Sequence, residues 1–384
     1  RCLFTRIFGC LLFVRCYNGS MNNPILQLQD VFVLSGVPQH TFVKPVEYTR
    51  LLVALRTPGR SIVIEGPSGI GKTTAVMKAI VEAGVAGHVV SLSARKREDV
   101  AFIRELPRQL PIGTVLIDDF HRLDNDSKRE IADLMKTLAD ESDAHSKLIV
   151  LGITNAGQSL ILFGKDLANR VEVIPFEANP EQKIDELVAK GESALNISIN
   201  IRDEIIAAAQ GSFYIAQMLA YHTCIRSNIL CTADPTTATT ESYESVRTHV
   251  ISALARSFHD TAIAFARGTK LRREGRAPYL HLLHWISQSQ TWSINAGREA
   301  DRHPEQRGSV SQVVNKGFLK ELIDASEDIQ RVLHFDQVSS TLVVQDPQFV
   351  FYIRNLSWPQ FAEEVGFVSL EFPSRYDFAV FCWR

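Results

Sequence analysis

Nine residues constrain this chain more than any others: Gly66-Pro67-Ser68-Gly69-Ile70-Gly71-Lys72-Thr73-Thr74, placed directly after the β-rich run Ser61–Glu65. The spacing G-x-x-x-x-G-K-[ST] between a strand and a helix is a phosphate-binding loop. Its residue types follow from the chemistry. Gly66, Gly69 and Gly71 let the backbone turn with its N–H groups pointing inward at phosphate oxygens. Lys72 reaches β- and γ-phosphates, and the Thr73 hydroxyl can ligate Mg²⁺. A helix starting at Lys72 adds partial positive charge at its N-terminus. The loop works only between a strand and a helix, so it commits the surrounding chain to an α/β fold.

The rest of the pattern agrees. Residues 61–66, 88–94, 114–120, 147–154 and 171–176 are short runs nearly continuous in apolar residues, as in strands covered on both faces. Helical spacing lies between them, over Lys72–Glu82, Glu98–Gln109, Ser127–Leu138 and a short stretch near Leu160–Asn169. This predicts a three-layer α/β domain with a parallel sheet over residues 45–178, after a lead-in at 1–44 that is polar and irregular past Met21. Residues 179–231 lose the β signal and read as three helices, the second ending at Gln210-Gly211. Thr232–Ser242 is a polar, turn-rich stretch, giving a linker at 232–243. In residues 244–356, helical runs are followed by a hairpin over Arg331–Pro347 with a Ser-Ser turn, which suggests a winged helix-turn-helix. A single helix over Ser309–Ser326 is its expected recognition helix, with Val310, Val313, Val314, Phe318 and Leu322 as core.

Thr114–Phe120 supplies the second chemical motif, a buried strand ending in paired acids. Asp118 is the candidate Mg²⁺ ligand, and Asp119 the candidate to orient or activate an attacking water. Asp is one methylene shorter than Glu, and a shift of about 1 Å slows proton transfer and water positioning. The alternative is a pair of solvated loop acids. Asn155, at the end of the following strand, would sit beside the γ-phosphate; the alternative is a turn former before Ala156-Gly157. Arg170 stands at a helix end before the fifth strand, either functional or a helix-terminal surface arginine.

Composition excludes other classes. The formal charge of −2 gives no global basic field for nucleic acid. The cysteines at positions 2, 10, 16, 224, 231 and 382 contain no C-x-x-C pair, which argues against a zinc site or disulfide framework and fits a reducing, cytoplasmic setting. No run approaches the ~20 apolar residues of a membrane span. The first twenty residues are basic, apolar and Cys-rich. They read as a signal-like segment or as upstream sequence before a natural start at Met21.

Residues Val46–Cys231 resemble AAA+ ATPases and the related STAND signalling ATPases. Gly66–Thr74 is similar to Walker A, Val115–Phe120 to Walker B, Gly152–Asn155 to sensor 1, and Arg170 to the arginine-finger position. The resemblance implies ATP with Mg²⁺, a sensor strand between the two Walker strands, a helical lid at 179–231, and a homo-oligomer if Arg170 acts on a neighbour's γ-phosphate. Two departures suggest slow turnover and a nucleotide-gated switch: Asp119 where many relatives have Glu, and Tyr214 or Gln217 where a sensor-2 arginine is common. Residues 244–356 resemble winged-helix units of origin-recognition initiators, which bind DNA, and of STAND proteins, which relay nucleotide state. The basic cluster Arg267, Lys270, Arg272, Arg273 and Arg276 lies off the expected recognition helix, so protein contact is favoured over DNA. A nucleotide-binding scaffold without turnover is a further alternative. Tyr376–Val380 resembles the first strand of TIR domains. The last four residues, Phe-Cys-Trp-Arg, match what a frame slip in codons for Ser-Phe-Ala-Gly-Glu would give. Residues 357–384 are therefore expected to be a linker and the start of a truncated TIR effector, as in bacterial defence signalling, or else an ordinary terminal segment.

Overall fold

The computed structural model describes residues 25–85, 89–141, 145–153, 165–268 and 276–367. Asn155, Lys270, Arg272, Arg273, the segment before Met21 and the TIR-like tail lie outside these residues.

After a short helix α1 (Leu28–Val31) and α2 (Tyr48–Arg56), the chain alternates β1 (Ser61–Glu65), α3 (Lys72–Ala83), β2 (Val89–Ser93), α4 (Arg97–Glu105), β3 (Thr114–Asp118), α5 (Asn125–Asp140), β4 (Lys147–Gly152) and β5 (Val171–Pro175). The five strands form one parallel sheet in the order β2-β3-β4-β1-β5. β4 therefore lies between β1 and β3, as expected, with Ile62 opposite Ile149 and Leu116 opposite Ile149. The period-2 alternation of each strand divides the interior. Ile62, Ile64, Leu116, Ile149 and Leu151 face the layer of α2 and α3. Val63, Val115, Ile117, Leu148 and Val150 face α4 and α5. That two-sided burial is why the strand runs are continuously apolar. Lys147, at the start of β4, is buried and donates to the carbonyls of Ala54, Thr57 and Arg60, so it closes the C-terminal end of α2.

The lid is α6 (Glu181–Leu195), α7 (Arg202–Ala209) and α8 (Phe213–Arg226). Gln210 and Gly211 both have positive φ and end α7, where the sequence places the break. The lid also contains β6 (Ile197–Ser198), which pairs in parallel with β7 (Thr237–Ala238) from the stretch expected to be only a linker. Thr237 and Ala238 are exposed, so no burial pattern marked them as strand.

The lead-in corrects the sequence reading. Leu28, Val31, Phe32 and Val43 are core residues. Gln27 bridges to Cys231, and the Leu28 N–H donates to the Leu230 carbonyl at 2.9 Å. A Cβ on Gly191 of α6 would lie 2.1 Å from the Phe32 ring, so the glycine exists to admit that ring. Leu28, Val31 and Phe32 have helical spacing and residues 31–34 are continuously apolar, but the pattern stops after one turn of helix, too short to stand out as an element. Phe32→Ala is expected to cost about 3–5 kcal/mol, read as a lowered urea midpoint with unchanged slope.

The C-terminal unit starts with α9 (Tyr243–Arg267), capped by Ser242, and continues through α10 (Pro278–Gln288), β8 (Ser293–Asn295), α11 (Ala296–Arg302), α12 (Pro304–Asn315), α13 (Phe318–Asp324), α14 (Glu327–Val332), β9 (Leu333–Asp336), β10 (Thr341–Val344), α15 (Pro347–Arg354) and α16 (Trp358–Val365). β9 and β10 form the expected hairpin, and β8 joins them in an antiparallel sheet of order β8-β10-β9. The single helix expected over Ser309–Ser326 is instead two, α12 and α13. Gly317 separates them with φ +77°, a left-handed conformation that a helix interior excludes. Val310, Val313, Val314 and Leu322 are buried, and Phe318 is half-buried. Residues 358–365, expected to be linker, form α16 and bury Trp358, Phe361, Ala362 and Val365. No described helix is long and apolar enough to cross a membrane.

Candidate functional site

The loop between β1 and α3 is shaped by glycines that no other residue can replace. A Cβ at Gly66, with φ +150°, would lie 2.1 Å from the Phe176 carbonyl oxygen. A Cβ at Gly69, with φ +78°, would lie 2.8 Å from Pro347 Cβ. Ile70 is buried beneath the loop, and its carbonyl accepts from Asn179 Nδ2 at 3.3 Å. Asn179 also donates to the Gly211 carbonyl at 2.9 Å, so one buried amide ties the phosphate loop to the lid.

Lys72 Nζ donates to the carbonyls of Gly66 at 2.8 Å and Pro67 at 2.6 Å. Burial lowers its pKa to about 8, against the opposing pull of Asp118 and Asp119. Thr73 Oγ1 donates to Asp118 Oδ2 at 3.0 Å. The two residues predicted to hold Mg²⁺ are thus side by side, and their hard oxygen donors fit that ion. Burial, and next the Asp119 carboxylate, push the Asp118 pKa upward, which is the stress a bound cation would relieve.

Asp119 does not stand free beside the loop. Its backbone has φ +57°, a left-handed conformation that Asp tolerates, at the start of a tight turn over Phe120–Arg122. Its carboxylate is bidentate to Arg95, with Nε–Oδ2 2.7 Å and Nη2–Oδ1 2.9 Å, and accepts from Ser93 Oγ at 3.2 Å. Both partners come from the end of β2, which lies beside β3 in the sheet. The sequence reading missed them; the available signal was a cation just past the strand neighbouring Walker B.

A cavity of about 440 Å³ gathers these groups, and is lined by Ser68, Gly69, Gly71, Lys72, Thr73, Thr74, Arg95, Asp118, Asp119 and His121 together with lead-in residues Val33, Leu34, Pro38, Thr41 and Phe42. Gly152 and Ile153, at the end of β4, also line it, two residues short of Asn155. Arg170 is elsewhere, preceding β5 at the opposite end of the strands, with Nε 2.7 Å from Asp140 Oδ1 at the end of α5. Tyr214 and Gln217 both reach the cavity. The Tyr214 N–H donates to the Gly69 carbonyl at 3.0 Å, and its hydroxyl accepts from Gln348 Nε2. Gln217 instead turns toward the lead-in.

The model for the ATPase family associated with various cellular activities (AAA) matches residues 62–174. Those residues carry the parallel sheet, the phosphate loop and the paired acids just described. They form an AAA-type P-loop domain. The sequence matches no curated protein. Among solved structures, the chain is similar to a Walker-type ATPase of Pyrococcus abyssi, with 13% identity, TM-score 0.48, and 84% of this chain and 99% of that one covered. It is also similar to the Aeropyrum pernix ORC1 protein solved in complex with DNA, at 12% identity and TM-score 0.44, covering 88% and 97%. A third is the Thermotoga maritima RuvB Holliday junction branch migration motor, at 14% identity and TM-score 0.42, covering 87% and 100%. Outside the AAA-type domain, the β10–α15 corner also touches the site. Gln345 lines the cavity, and its Oε1 accepts from Arg122 Nη2 at 2.9 Å and Nε at 3.2 Å and lies 3.1 Å from His121 Nε2.

Proposed function

We propose that this chain is a nucleotide-gated regulatory ATPase: it binds ATP with Mg²⁺ at the AAA-type site, hydrolyses it slowly, and passes the state of that site to its C-terminal unit. Lys72 and the loop amides would bind the phosphates, with Thr73 and Asp118 holding Mg²⁺, which neutralises charge on the phosphate oxygens. Asp119 would orient the attacking water once released from Arg95. Arg170 would complete a neighbouring subunit's site in an ATP-dependent homo-oligomer.

The observation that carries the gating reading is the contact between the C-terminal unit and the phosphate machinery. Pro347 packs on Gly69, Gln348 bonds Tyr214, and Gln345 grips the turn that follows Asp119. Arg122 Nη2 also donates to the Gln330 carbonyl at 2.8 Å, and Gln345 Nε2 donates to the carbonyls of Gln330 and Leu333 at 3.1 and 3.0 Å. The His121 and His334 rings meet edge to face at 5.0 Å, and burial pushes the pKa of each down, so both remain neutral, with His121 Nε2 still facing Gln345 Oε1. A unit whose only task was to bind a distant partner would not need its own residues in the nucleotide cavity.

Gln345→Ala removes the acceptor shared by Arg122 and His121. A hydrogen bond to a charged donor contributes about 1.5–3 kcal/mol, so the closed arrangement should lose roughly tenfold or more in population. The expected result is faster ATP turnover together with faster amide exchange over residues 119–123 and 333–345. Faster exchange with unchanged turnover would reject the gating reading and leave an ATPase whose C-terminal unit does not control it.

A further inference from the structure

His121 is 9% exposed and lines the nucleotide cavity with Asp118 and Asp119. Its Nδ1 is buried and has no hydrogen-bond partner among the described residues. The other ring nitrogen decides what Nδ1 can do. Gln345 Nε2 donates to the carbonyls of Gln330 and Leu333, which orients that amide with Oε1 as its acceptor. His121 Nε2 lies 3.1 Å from this oxygen, so Nε2 carries the ring proton. Burial, and next the neighbouring His334, push the His121 pKa well below its ordinary value and keep the ring neutral. Nδ1 is therefore a bare lone pair, and a buried acceptor needs a donor.

The site's own donors face elsewhere. Lys72 Nζ donates to the Gly66 and Pro67 carbonyls, Thr73 Oγ1 to Asp118, and Arg95 to Asp119 through both Nε and Nη2. The oxygens of an ionised triphosphate only accept. Water is the donor that a hydrolytic site always supplies. We propose that His121 Nδ1 holds the attacking water in the ATP-bound site, accepting one of its O–H groups while Asp119 accepts the other. A single acceptor leaves a water free to swing, whereas two fix it, and a misplacement of about 1 Å costs roughly a hundredfold in rate. His121 is thus a positioning residue, which holds the water by a hydrogen bond and takes no proton from it. This rests on the reading of the cavity as an ATP site. Gln345 biases the tautomer without being required for it, because a neutral ring can keep its proton on Nε2 unaided. Loosening that corner therefore leaves the acceptor in place.

The test pairs two substitutions that each keep one nitrogen's role. Asn bears its amide oxygen on Cγ, the atom that bears Nδ1 in His, so His121→Asn keeps the acceptor and gives up the link to Gln345. His121→Gln reaches the Gln345 end and gives up the acceptor. In steady-state ATP hydrolysis, His121→Gln should lower kcat about tenfold to a hundredfold, and His121→Asn should recover most of that loss. Calorimetric titration should show ATP affinity within about threefold of wild type in both. The reverse order, with Gln active and Asn slow, would overturn the proposal, because the Gln345 link would then be what matters. Equal turnover in the two variants, whether high or low, would overturn it too. A loss in His121→Gln that saturating Mg²⁺ restores would place the water on the metal ion and overturn this proposal alone. The ring-nitrogen NMR spectrum of histidine-labelled wild-type protein gives a readout free of any folding defect. The His121 signals, assigned by their loss in His121→Gln, should show an unprotonated Nδ1 that shifts when Mg²⁺ and a non-hydrolysable ATP analogue are added. A protonated Nδ1, or one that the analogue leaves unmoved, would overturn the proposal. A wild-type protein that binds no ATP would overturn the ATP-site reading and this proposal with it.

Discussion

Lys72→Ala is expected to weaken ATP binding by about a hundredfold or more, measured by fluorescence titration with a labelled nucleotide. Its ammonium is the cation of the loop, half-buried, and each charge-assisted bond to phosphate contributes about 1.5–3 kcal/mol. Unchanged affinity would remove the phosphate-site assignment altogether. The wild-type protein should show a matching pH dependence. Lys72 has its pKa lowered to about 8. Below that pH the group is already charged, and affinity should be flat. Above it, binding must first take up a proton, so affinity should fall, by roughly tenfold between pH 7 and 9. The drop should vanish in Lys72→Ala.

Asp119→Ala should reduce ATP turnover about 10²–10⁴-fold while leaving nucleotide affinity within about threefold. The two effects separate because Asp118, not Asp119, shares a hydrogen bond with Thr73. Steady-state hydrolysis and titration on the same preparation decide it, and undiminished turnover would exclude Asp119 from the mechanism. The ion pair with Arg95 sets the starting point for this carboxylate. On the proposed reading, it would have to leave Arg95 or carry the arginine with it before holding a water, and either would slow the chemical step.

The α/β core was legible because its signals are local. The strand runs, Gly66–Thr74 and Asp118-Asp119 each span a few residues, and their partners are adjacent strands of one sheet. The illegible parts depend on distant pairs. Nothing near Gln345 marks it as a partner of Arg122, 223 residues earlier in the chain. Val33 and Gln217 are 184 residues apart. The helix break at Gly317 was readable in principle, but the apolar spacing on both sides continues through it. The exposed two-residue strands β6 and β7 carry no burial pattern at all.

The division of the interior by the sheet has a mechanical meaning. The face holding Ile62 and Ile64 belongs to a core that runs without interruption through the lead-in, the lid and the C-terminal unit. The face holding Val63 closes a separate, smaller core with α4 and α5. β1, which feeds the phosphate loop, is therefore a shared wall between a large body and a small one. A cavity cut into the small body, for instance at Met135, would soften α4 and α5 while the other body kept its rigidity. In the large body the same injury would spread, because the residues seating the loop and those seating the final helices are parts of one solid.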